Sequence, residues 1–256
     1  MAKGRAWSRD ELVVAMNLYC TMEFGQFHAR NPVIIEVSGK LDRSPSSLAM
    51  KLCNFASLDP FHAARGVSGL SGASQLDRQV WQEFHQDWEG SAFASEVLLA
   101  RTKGVSLAAE VGINESELPK EGRERDRVVR VRVNQHFFRA SILAAYEGAC
   151  CVTGLSAPEL LVASHIVPWA KNAEARVNPR NGLCLNALHD RAFDRGLMTV
   201  SEDLKVVLSP RLRRLVSSSS VVWLRSVEGA PIRLPQRFVP DAEFLSWHRK
   251  HVFVAD

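Results

Sequence analysis

The segment from Cys150 to Val200 constrains the fold more than any other part of the sequence, because it places polar side chains on short consecutive elements. An apolar run from Leu160 to Val167 contains His165, and a second run from Leu183 to Leu185 follows the pair Asn181–Gly182. Short apolar runs beside turn-forming residues are typical of β-strands. Because side chains alternate along a strand, His165 faces away from its neighbours, so one face can pack while the other carries chemistry.

A helix is predicted directly after the second apolar run. Asn186 is a favourable N-cap residue and Gly196 a favourable stop, so the helix is expected from about Ala187 to Arg195. His189 then lies in the first turn, and Phe193 lies four residues later on the same face. Two strands and one helix therefore present three polar side chains, those of His165, Asn181 and His189.

These motifs resemble the HNH endonuclease family, which is built on a ββα-metal hairpin. The residues that carry the resemblance are His165, Asn181 and His189, in the contexts ASHIVPW, NGLCL and LHDRAFDRGL. More specifically, the sequence resembles the branch of the family that is found in predicted restriction endonucleases. The resemblance extends upstream to residues 132–148 and downstream to the proline-rich tail. The resemblance implies that His165 is the general base, that Asn181 holds the hairpin loop and that His189 binds a catalytic divalent metal ion.

The chemistry of phosphodiester hydrolysis agrees with these roles. The negative charge of a phosphodiester repels hydroxide, so hydrolysis needs a positioned base for the water and a cation at the phosphate. An imidazole titrates near neutral pH and can serve as the base, while a neutral imidazole can help to bind the cation.

Two positions differ from patterns in the family and affect the predicted metal site. Some HNH nucleases carry a second metal-binding His where this sequence has Phe193, and others carry an Asp where it has Ser164. With few protein ligands, a loosely held Mg²⁺ or Mn²⁺ ion with several waters is predicted rather than tightly bound Zn²⁺. Asp190 and Asp194 are turned by about 100° and 140° from His189 around the helix, so neither is predicted as a ligand.

The five cysteines do not match the four-cysteine zinc site with which many HNH nucleases brace the hairpin. Cys150 and Cys151 are adjacent, Thr153–Gly154 stands where a second Cys of a Cys-x-x-Cys pair would fall, and Cys184 is single. A structural zinc ion is therefore not predicted. The thiols are interpreted as reduced and buried.

Composition and charge limit the class of protein. The 256 residues include 46% hydrophobic residues, enough for one large or two small domain cores. No apolar run approaches the length of about 18 residues expected for a membrane span, and no signal peptide is recognised, so a cytoplasmic protein without a membrane partner is expected. Of the net charge of +4, residues 1–95 contribute −1 (nine Lys and Arg against ten Asp and Glu), and residues 96–256 contribute +5. The basic part is the one that contains the motifs.

Residues 1–102 are predicted to form a helical domain. Ser8 to Glu11 forms a capping box, and Asn31–Pro32 and Ser44–Pro45 begin two further helices. Three short helices, the last with small polar and basic residues on its outer face, fit a helix-turn-helix-like DNA-recognition domain. A purely structural bundle shows the same pattern and stays an alternative, since this region is not basic. If the domain binds DNA, the predicted contacts are Arg43, Ser47, Lys51 and Asn54.

Residues 103–122 contain Gly and Pro with weak periodicity and are predicted as a linker to a nuclease domain of residues 123–256. Five arginines occupy residues 123–132. If residues 129–133 form a strand with its valines inward, Arg130 and Arg132 share the other face and can follow a phosphate backbone. A solvated face without a ligand would have the same sequence.

Other segments are assigned from turn residues and periodicity. Residues 62–75 and 217–220 are predicted as loops, and residues 196–209 as a hairpin that turns near Glu202–Asp203. Ala242 to His251 is predicted as a last short helix. His248 and His251 have a spacing that a metal can use, but surface histidines near the end of the chain are the preferred interpretation.

The sequence therefore predicts an α+β protein, with a helical N-terminal domain followed by an HNH ββα-metal nuclease domain whose core motif spans residues 150–200. The preferred function is a metal-dependent DNA endonuclease of a restriction or defence type, with DNA as partner. Double-strand cutting would favour a homodimer on DNA, which the mass of the complex would test. The alternative is a non-catalytic DNA-binding or regulatory protein with a degenerate HNH scaffold, which Ser164 and Phe193 favour.

Overall fold

The computed structural model describes residues 5–64, 72–120, 122–214, 222 and 224–255. The chain divides into two compact units, unit 1 from Met1 to Ser141 and unit 2 from Ile142 to Asp256. Helices come first and the strands follow in unit 2, which confirms the predicted α+β class. The predicted loop at residues 217–220 lies outside the described residues, as do residues 65–71 of the loop predicted at 62–75.

Unit 1 consists of helices that pack around its first helix, α1. Its described α-helices are α1 (Arg9–Thr21), α2 (Pro32–Lys40), α3 (Pro45–Ala56), α4 (Pro60–Ala64), α5 (Gln75–Gln86), α6 (Trp88–Lys103), α7 (Leu107–Glu110) and the first part of α8 (Arg123–Ala145), with 3₁₀ turns at Phe24–Gln26 and Glu115–Glu117. Every residue of α1 from Glu11 to Cys20 is buried, and this helix contacts α3, α5 and α6. A helix that is buried on all sides is the core of its bundle.

The predicted capping residues begin these helices. Ser8 and Glu11 form the capping box of α1, with the Ser8 amide donating to Glu11 Oε2 at 2.7 Å. Asn31 and Ser44 are the N-caps of α2 and α3, and each is followed by a proline, as predicted. One residue of α3 was predicted wrongly, since Asn54 is only 4% exposed instead of lying on the outer face.

The strand predicted at residues 129–133 is wrong, because these residues belong to α8. Alternating Val and Arg imitates a strand over this short window. Burial follows a helical period over a longer one, since Val133, Phe137 and Ser141 are fully buried at intervals of four residues. Arginine also has a high helix propensity, which favours the helix where packing does not decide.

The segment predicted as a linker, residues 103–122, contains α7 and the 3₁₀ turn at Glu115–Glu117 where it is described. Both belong to unit 1, and the division between the units falls within α8, after Ser141. The nuclease-domain boundary at Arg123 stays a prediction.

Unit 2 is built on an antiparallel hairpin of β1 (Leu161–His165) and β2 (Gly182–Asn186), preceded by 3₁₀ turns at Pro158–Leu160 and Pro179–Asn181. The register pairs Leu161 with Asn186 and His165 with Gly182. Helix α9 (Ala187–Asp194) starts at the N-cap Asn186, as predicted, and packs on both strands. This register places His165 at the loop end of the hairpin, beside the turn that carries Asn181.

The remainder of unit 2 includes a second hairpin, whose first strand contacts α9, and further helices. The predicted second hairpin is confirmed as β3 (Met198–Val200) paired with β4 (Val206–Leu208), and it is followed by α10 (Pro210–Arg214). The predicted last helix is α11 (Ala242–His251), which contacts β3. His248 is not a surface histidine, because it is 1% exposed and its ring stacks on Phe193. Across the described part of the chain, none of the helices combines the length and the apolar character needed to cross a membrane.

The buried His248 makes the stability of unit 2 depend on pH. Burial lowers the pKa of His248 to about 4, with a further lowering by Arg249 and an opposing effect of the Phe193 carbonyl. His248 therefore becomes protonated near pH 6.5 in the unfolded chain but only near pH 4 in the folded chain. The stability contributed by neutral His248 is complete above pH 6.5 and decreases as the pH falls to 4. The expected loss is about 3 kcal/mol.

Urea denaturation between pH 4 and 7.5 measures this loss. Hydrogen exchange of the β3 amides over the same pH range gives a second measurement within unit 2. The variant His248→Phe removes the titrating group, so its stability should change less over this interval than that of the wild type. Parallel pH profiles of the two proteins would contradict the prediction.

Candidate active site

His165 is held in one orientation at the end of β1. Its Nε2 lies 2.9 Å from the backbone oxygen of Arg176, and its ring meets the Trp169 ring edge-on at 5.6 Å between centroids. A carbonyl oxygen only accepts hydrogen bonds, so Nε2 carries the proton and Nδ1 is the basic nitrogen. The loop after β1 thus fixes both the tautomer and the direction of this imidazole.

The surroundings of His165 favour its neutral form. Burial lowers the pKa of His165, while the Arg176 carbonyl and the charge of Asp190 raise it by less. A neutral imidazole at physiological pH is the form that can take a proton from water. The effect of Asp190 also places its carboxylate within electrostatic range of the imidazole.

Asn181 is fully buried and ties the loop between the strands to the hairpin. Its Nδ2 donates to the backbone oxygens of Val167 at 3.0 Å and Ala175 at 3.1 Å. Its Oδ1 accepts from the Val167 amide at 2.8 Å, and its backbone oxygen accepts from the Ile166 amide at 2.9 Å. These four bonds fix both ends of the loop that carries the carbonyl partner of His165.

The variant Asn181→Ala is expected to destabilise unit 2 by about 2–4 kcal/mol, because it leaves buried backbone groups of Val167 and Ala175 without partners. DNA cleavage should decrease as well, but by less than after loss of His165. Urea denaturation measures the first effect. The matched control is Asn178→Ala, which removes a side chain that accepts one bond, from the Arg180 amide. An equal loss of stability in both variants would contradict the bracing role.

His189, the predicted metal ligand, points into the interior of unit 2. It is 0% exposed, and its Nδ1 accepts a hydrogen bond from Asn186 Nδ2 at 2.8 Å. The orientation of the Asn186 amide follows from its cap, since Oδ1 accepts from the amides of Leu188 and His189. His189 is thus the third residue of α9, and its side chain reaches back to the N-cap as in a capping box.

His189 also contacts a cysteine. Burial raises the pKa of the Cys150 thiol, but hydrogen bonds from His189, Thr153 and the backbone lower it more, to about 6. Cys150, Cys151 and Cys184 are buried and form no disulfide, as predicted. The surroundings of His189 are therefore a cap amide and a thiol, and its role as a metal ligand stays a prediction.

Asp190 and Asp194 lie one turn apart on the outer side of α9. Asp190 is half-buried and Asp194 is exposed. Local burial of the carboxylate raises the pKa of Asp194, and the charge of Asp190 raises it further, against smaller effects of Arg191 and Arg195. The charge of Asp190 thus influences the pKa of both Asp194 and His165.

The sequence analysis did not predict Asp190 and Asp194 as ligands because it measured their direction from His189, and a role of either in metal binding stays untested. The Asn-x-x-His spacing after β2 was the available signal, since the third residue of a capped helix turns its side chain toward the cap. Within the described ranges, no group of three or more His, Cys, Asp or Glu side chains is arranged to hold a metal ion. Asp190 and Asp194 are accordingly considered as a pair.

The predicted DNA contacts of α3 and its preceding turn are engaged within unit 1. The Arg43 guanidinium pairs with Glu11 at 2.8 Å and lies over the Trp7 ring. Lys51 Nζ pairs with the fully buried Asp77 at 2.9 Å. Asn54 Nδ2 donates to the Gly72 oxygen at 3.3 Å. Binding of DNA by Arg43, Lys51 and Asn54 stays a prediction.

Arg130 and Arg132 do not share a face, since positions two apart on a helix project to nearly opposite sides. Arg130 lies over the Phe93 ring at 4.4 Å, and Arg132 pairs with Glu117 at 3.3 Å. The predicted continuous basic face assumed that residues 129–133 form a strand, and these residues are helical instead. DNA contact by Arg130 or Arg132 stays a prediction.

Comparison with known proteins finds a family match for part of the chain. Residues 150–201 match a family model described as HNH endonuclease. Among solved structures, the chain is similar to one described as a modification dependent TagI restriction endonuclease, at 21% identity and a TM-score of 0.33. That similarity covers 45% of this chain and 37% of the other, so the chain spans little more than a third of its length. A search of curated proteins found no match. The part of the chain that matches the HNH endonuclease model, residues 150–201, is the part that contains β1, β2 and α9.

Proposed function

We propose that the chain is a metal-dependent DNA endonuclease of the HNH type, with a restriction or defence role and with His165 as the general base. The observation that carries the proposal is the fixed, neutral imidazole of His165, whose Nε2 is held by the Arg176 carbonyl. The charge of Asp190 on α9 acts on this base, and Asp194 lies one turn further along the same helix. DNA is proposed as the substrate on the strength of the family.

His165 would act through its Nδ1. A water molecule between this nitrogen and the scissile phosphate loses a proton to Nδ1 as its oxygen forms a bond to phosphorus. The bond from phosphorus to the 3′ oxygen breaks on the opposite side, which leaves a 5′ phosphate on one product. Asn181 contributes by holding the loop whose Arg176 carbonyl orients the ring.

The donor chemistry on the outer side of α9 fits a divalent ion. Mg²⁺ and Mn²⁺ prefer oxygen ligands, and Mg²⁺ is commonly held by one or two carboxylates together with several waters. Asp190 and Asp194 supply such a pair, and their mutual repulsion favours a cation between them. Coordination by His189 through Nδ1 would require that nitrogen to give up the hydrogen bond from Asn186, whereas coordination through Nε2 would leave the bond in place. When bound, the ion supplies positive charge at the phosphate and the leaving oxygen.

A second candidate function is a non-catalytic DNA-binding or regulatory protein on the same scaffold. Two observations favour it. Ser164 is 2% exposed within β1, and Phe193 is fully buried beneath His248, so neither position offers a ligand where some family members carry one. This candidate keeps DNA binding and lacks cleavage.

Cleavage of supercoiled plasmid separates the two candidates. Modified and unmodified plasmids are incubated with Mg²⁺, Mn²⁺ or EDTA, and binding is measured in parallel at increasing salt. The nuclease proposal expects nicked or linear products with Mg²⁺ or Mn²⁺ and none with EDTA. Salt-dependent binding without cleavage under any metal would support the regulatory candidate instead.

A further inference from the structure

His248 connects the C-terminal helix α11 to the end of α9. Its ring stacks on the Phe193 ring, with 3.7 Å between centroids and 10° between planes. Its Nε2 lies 3.1 Å from the Phe193 backbone oxygen, and its Nδ1 lies 2.9 Å from Thr199 Oγ1. Since a carbonyl only accepts, Nε2 donates to Phe193 and Nδ1 accepts from the Thr199 hydroxyl. All three residues are buried.

The segment after α11 holds the same end of α9. The Val254 amide donates to the Gly196 oxygen at 2.9 Å. Gly196 has a positive φ of 66°, and a Cβ at this position would collide with the carbonyl of Val252. Side-chain and backbone contacts from the C-terminal part of the chain thus fix the last turn of α9.

We infer that His248 is a positioning residue for the carboxylate pair Asp190 and Asp194. Asp194 directly follows Phe193 in the chain, so the contacts of Phe193 with His248 hold the backbone from which the Asp194 side chain extends. Asp190 and Asp194 are four residues apart on α9, so both side chains project from the same face of the helix and can bind one cation together. This inference rests on the proposed metal-dependent function, and it gives a role to a helix outside the matched residues 150–201.

The position of Phe193 explains why such a support is needed. Some family members have a second metal-binding His at this place, whereas here an apolar ring is buried and the adjacent carboxylate takes its part. Groups that orient a metal ligand typically change metal affinity by about 10–100-fold when they are removed. His248 acts at one residue from the ligand, through a ring stack and a hydrogen bond.

Binding of Mn²⁺ to the full chain without DNA, measured by electron paramagnetic resonance of the free ion, tests this inference. His248→Phe keeps a stacking ring and removes both hydrogen bonds, so it is expected to weaken Mn²⁺ binding by about 10–100-fold. His248→Gln can donate to the Phe193 oxygen and accept from Thr199, so it should recover most of the affinity. The matched control is His251→Phe on the same helix, where the exposed ring contacts Trp247 and not α9. It should bind as the wild type does.

Wild-type affinity in a folded His248→Phe protein would overturn the inference and leave the proposed function intact. If His248→Phe does not fold, Thr199→Val removes one of the two bonds and should still weaken Mn²⁺ binding, and unchanged affinity there would overturn it. Failure of the wild type to bind Mn²⁺, or equal binding by Asp190→Asn and Asp194→Asn, would instead refute the proposed metal site itself.

Discussion

Replacing His165 with alanine is expected to lower the rate of metal-dependent DNA cleavage by about 10²–10⁴-fold, which is the usual contribution of a general base. The imidazole is the group placed to take a proton, because its Nε2 is occupied by the Arg176 carbonyl and Nδ1 keeps the basic lone pair. Binding of DNA should change little, since a neutral side chain is lost. The measurement is single-turnover cleavage of supercoiled plasmid at saturating Mg²⁺ or Mn²⁺.

Two controls separate chemistry from structure in this variant. Circular dichroism and urea denaturation should show a folded unit 2, since His165→Ala removes one side-chain bond and one edge contact with Trp169. Added imidazole should restore part of the rate, because the vacated space can admit a free base. His251→Ala, on the exposed side of α11, should cleave normally. Wild-type cleavage by His165→Ala would rule out the proposed mechanism.

The parts of the fold that were predictable are those fixed by local chemistry. Asn186 and Gly196 define the bounds of α9 through capping, and Ser8 and Glu11 do so for α1. The short strands flanking Asn181 followed from their apolar runs. Each of these features depends on residues within about one turn or one strand of each other, so sequence alone contains the information.

The features that the sequence did not reveal depend on distant partners. The sequence suggests that Lys51 and Arg43 form an exposed basic surface. In the structure Lys51 pairs with Asp77 and Arg43 pairs with Glu11, and both partners lie far away in sequence. The alternation of Val and Arg at residues 129–133 suggested a strand, but these residues follow the longer helical pattern of α8, which is stabilised by packing.

The burial of His248 was also not predictable from the sequence, because it depends on distant partners. Its position near the end of the chain suggested a surface residue, and only the contact of α11 with β3 and Phe193 reveals it as buried. In the candidate site, the direction of His189 was the decisive unknown. Its cap bond turns it inward, and Asp190 is the residue of α9 whose charge acts on His165.

Substitution of the α9 carboxylates should identify the residues that hold the metal ion. Asp190→Asn is expected to lower cleavage at fixed Mg²⁺ by about 10²–10³-fold, because the charge stabilisation supplied by a bound cation is worth several kcal/mol. Asp194→Asn should act in the same direction. Neither change should destabilise the fold, since each relieves repulsion between neighbouring carboxylates. Cleavage is measured over a range of Mg²⁺ and Mn²⁺ concentrations, where higher metal should recover part of the rate.

His189→Phe is the comparison that separates this assignment from the one implied by family resemblance. It removes the bonds of His189 to Asn186 and Cys150, so it should lower the free energy of unfolding by about 1–3 kcal/mol. Because its ring is directed into the interior, Mn²⁺ affinity of the folded variant should stay near that of the wild type. The opposite result, in which His189→Phe loses Mn²⁺ while Asp190→Asn and Asp194→Asn retain it, would make His189 the ligand. Coordination through Nδ1 would then require the cap bond to Asn186 to open, and coordination through Nε2 would keep it.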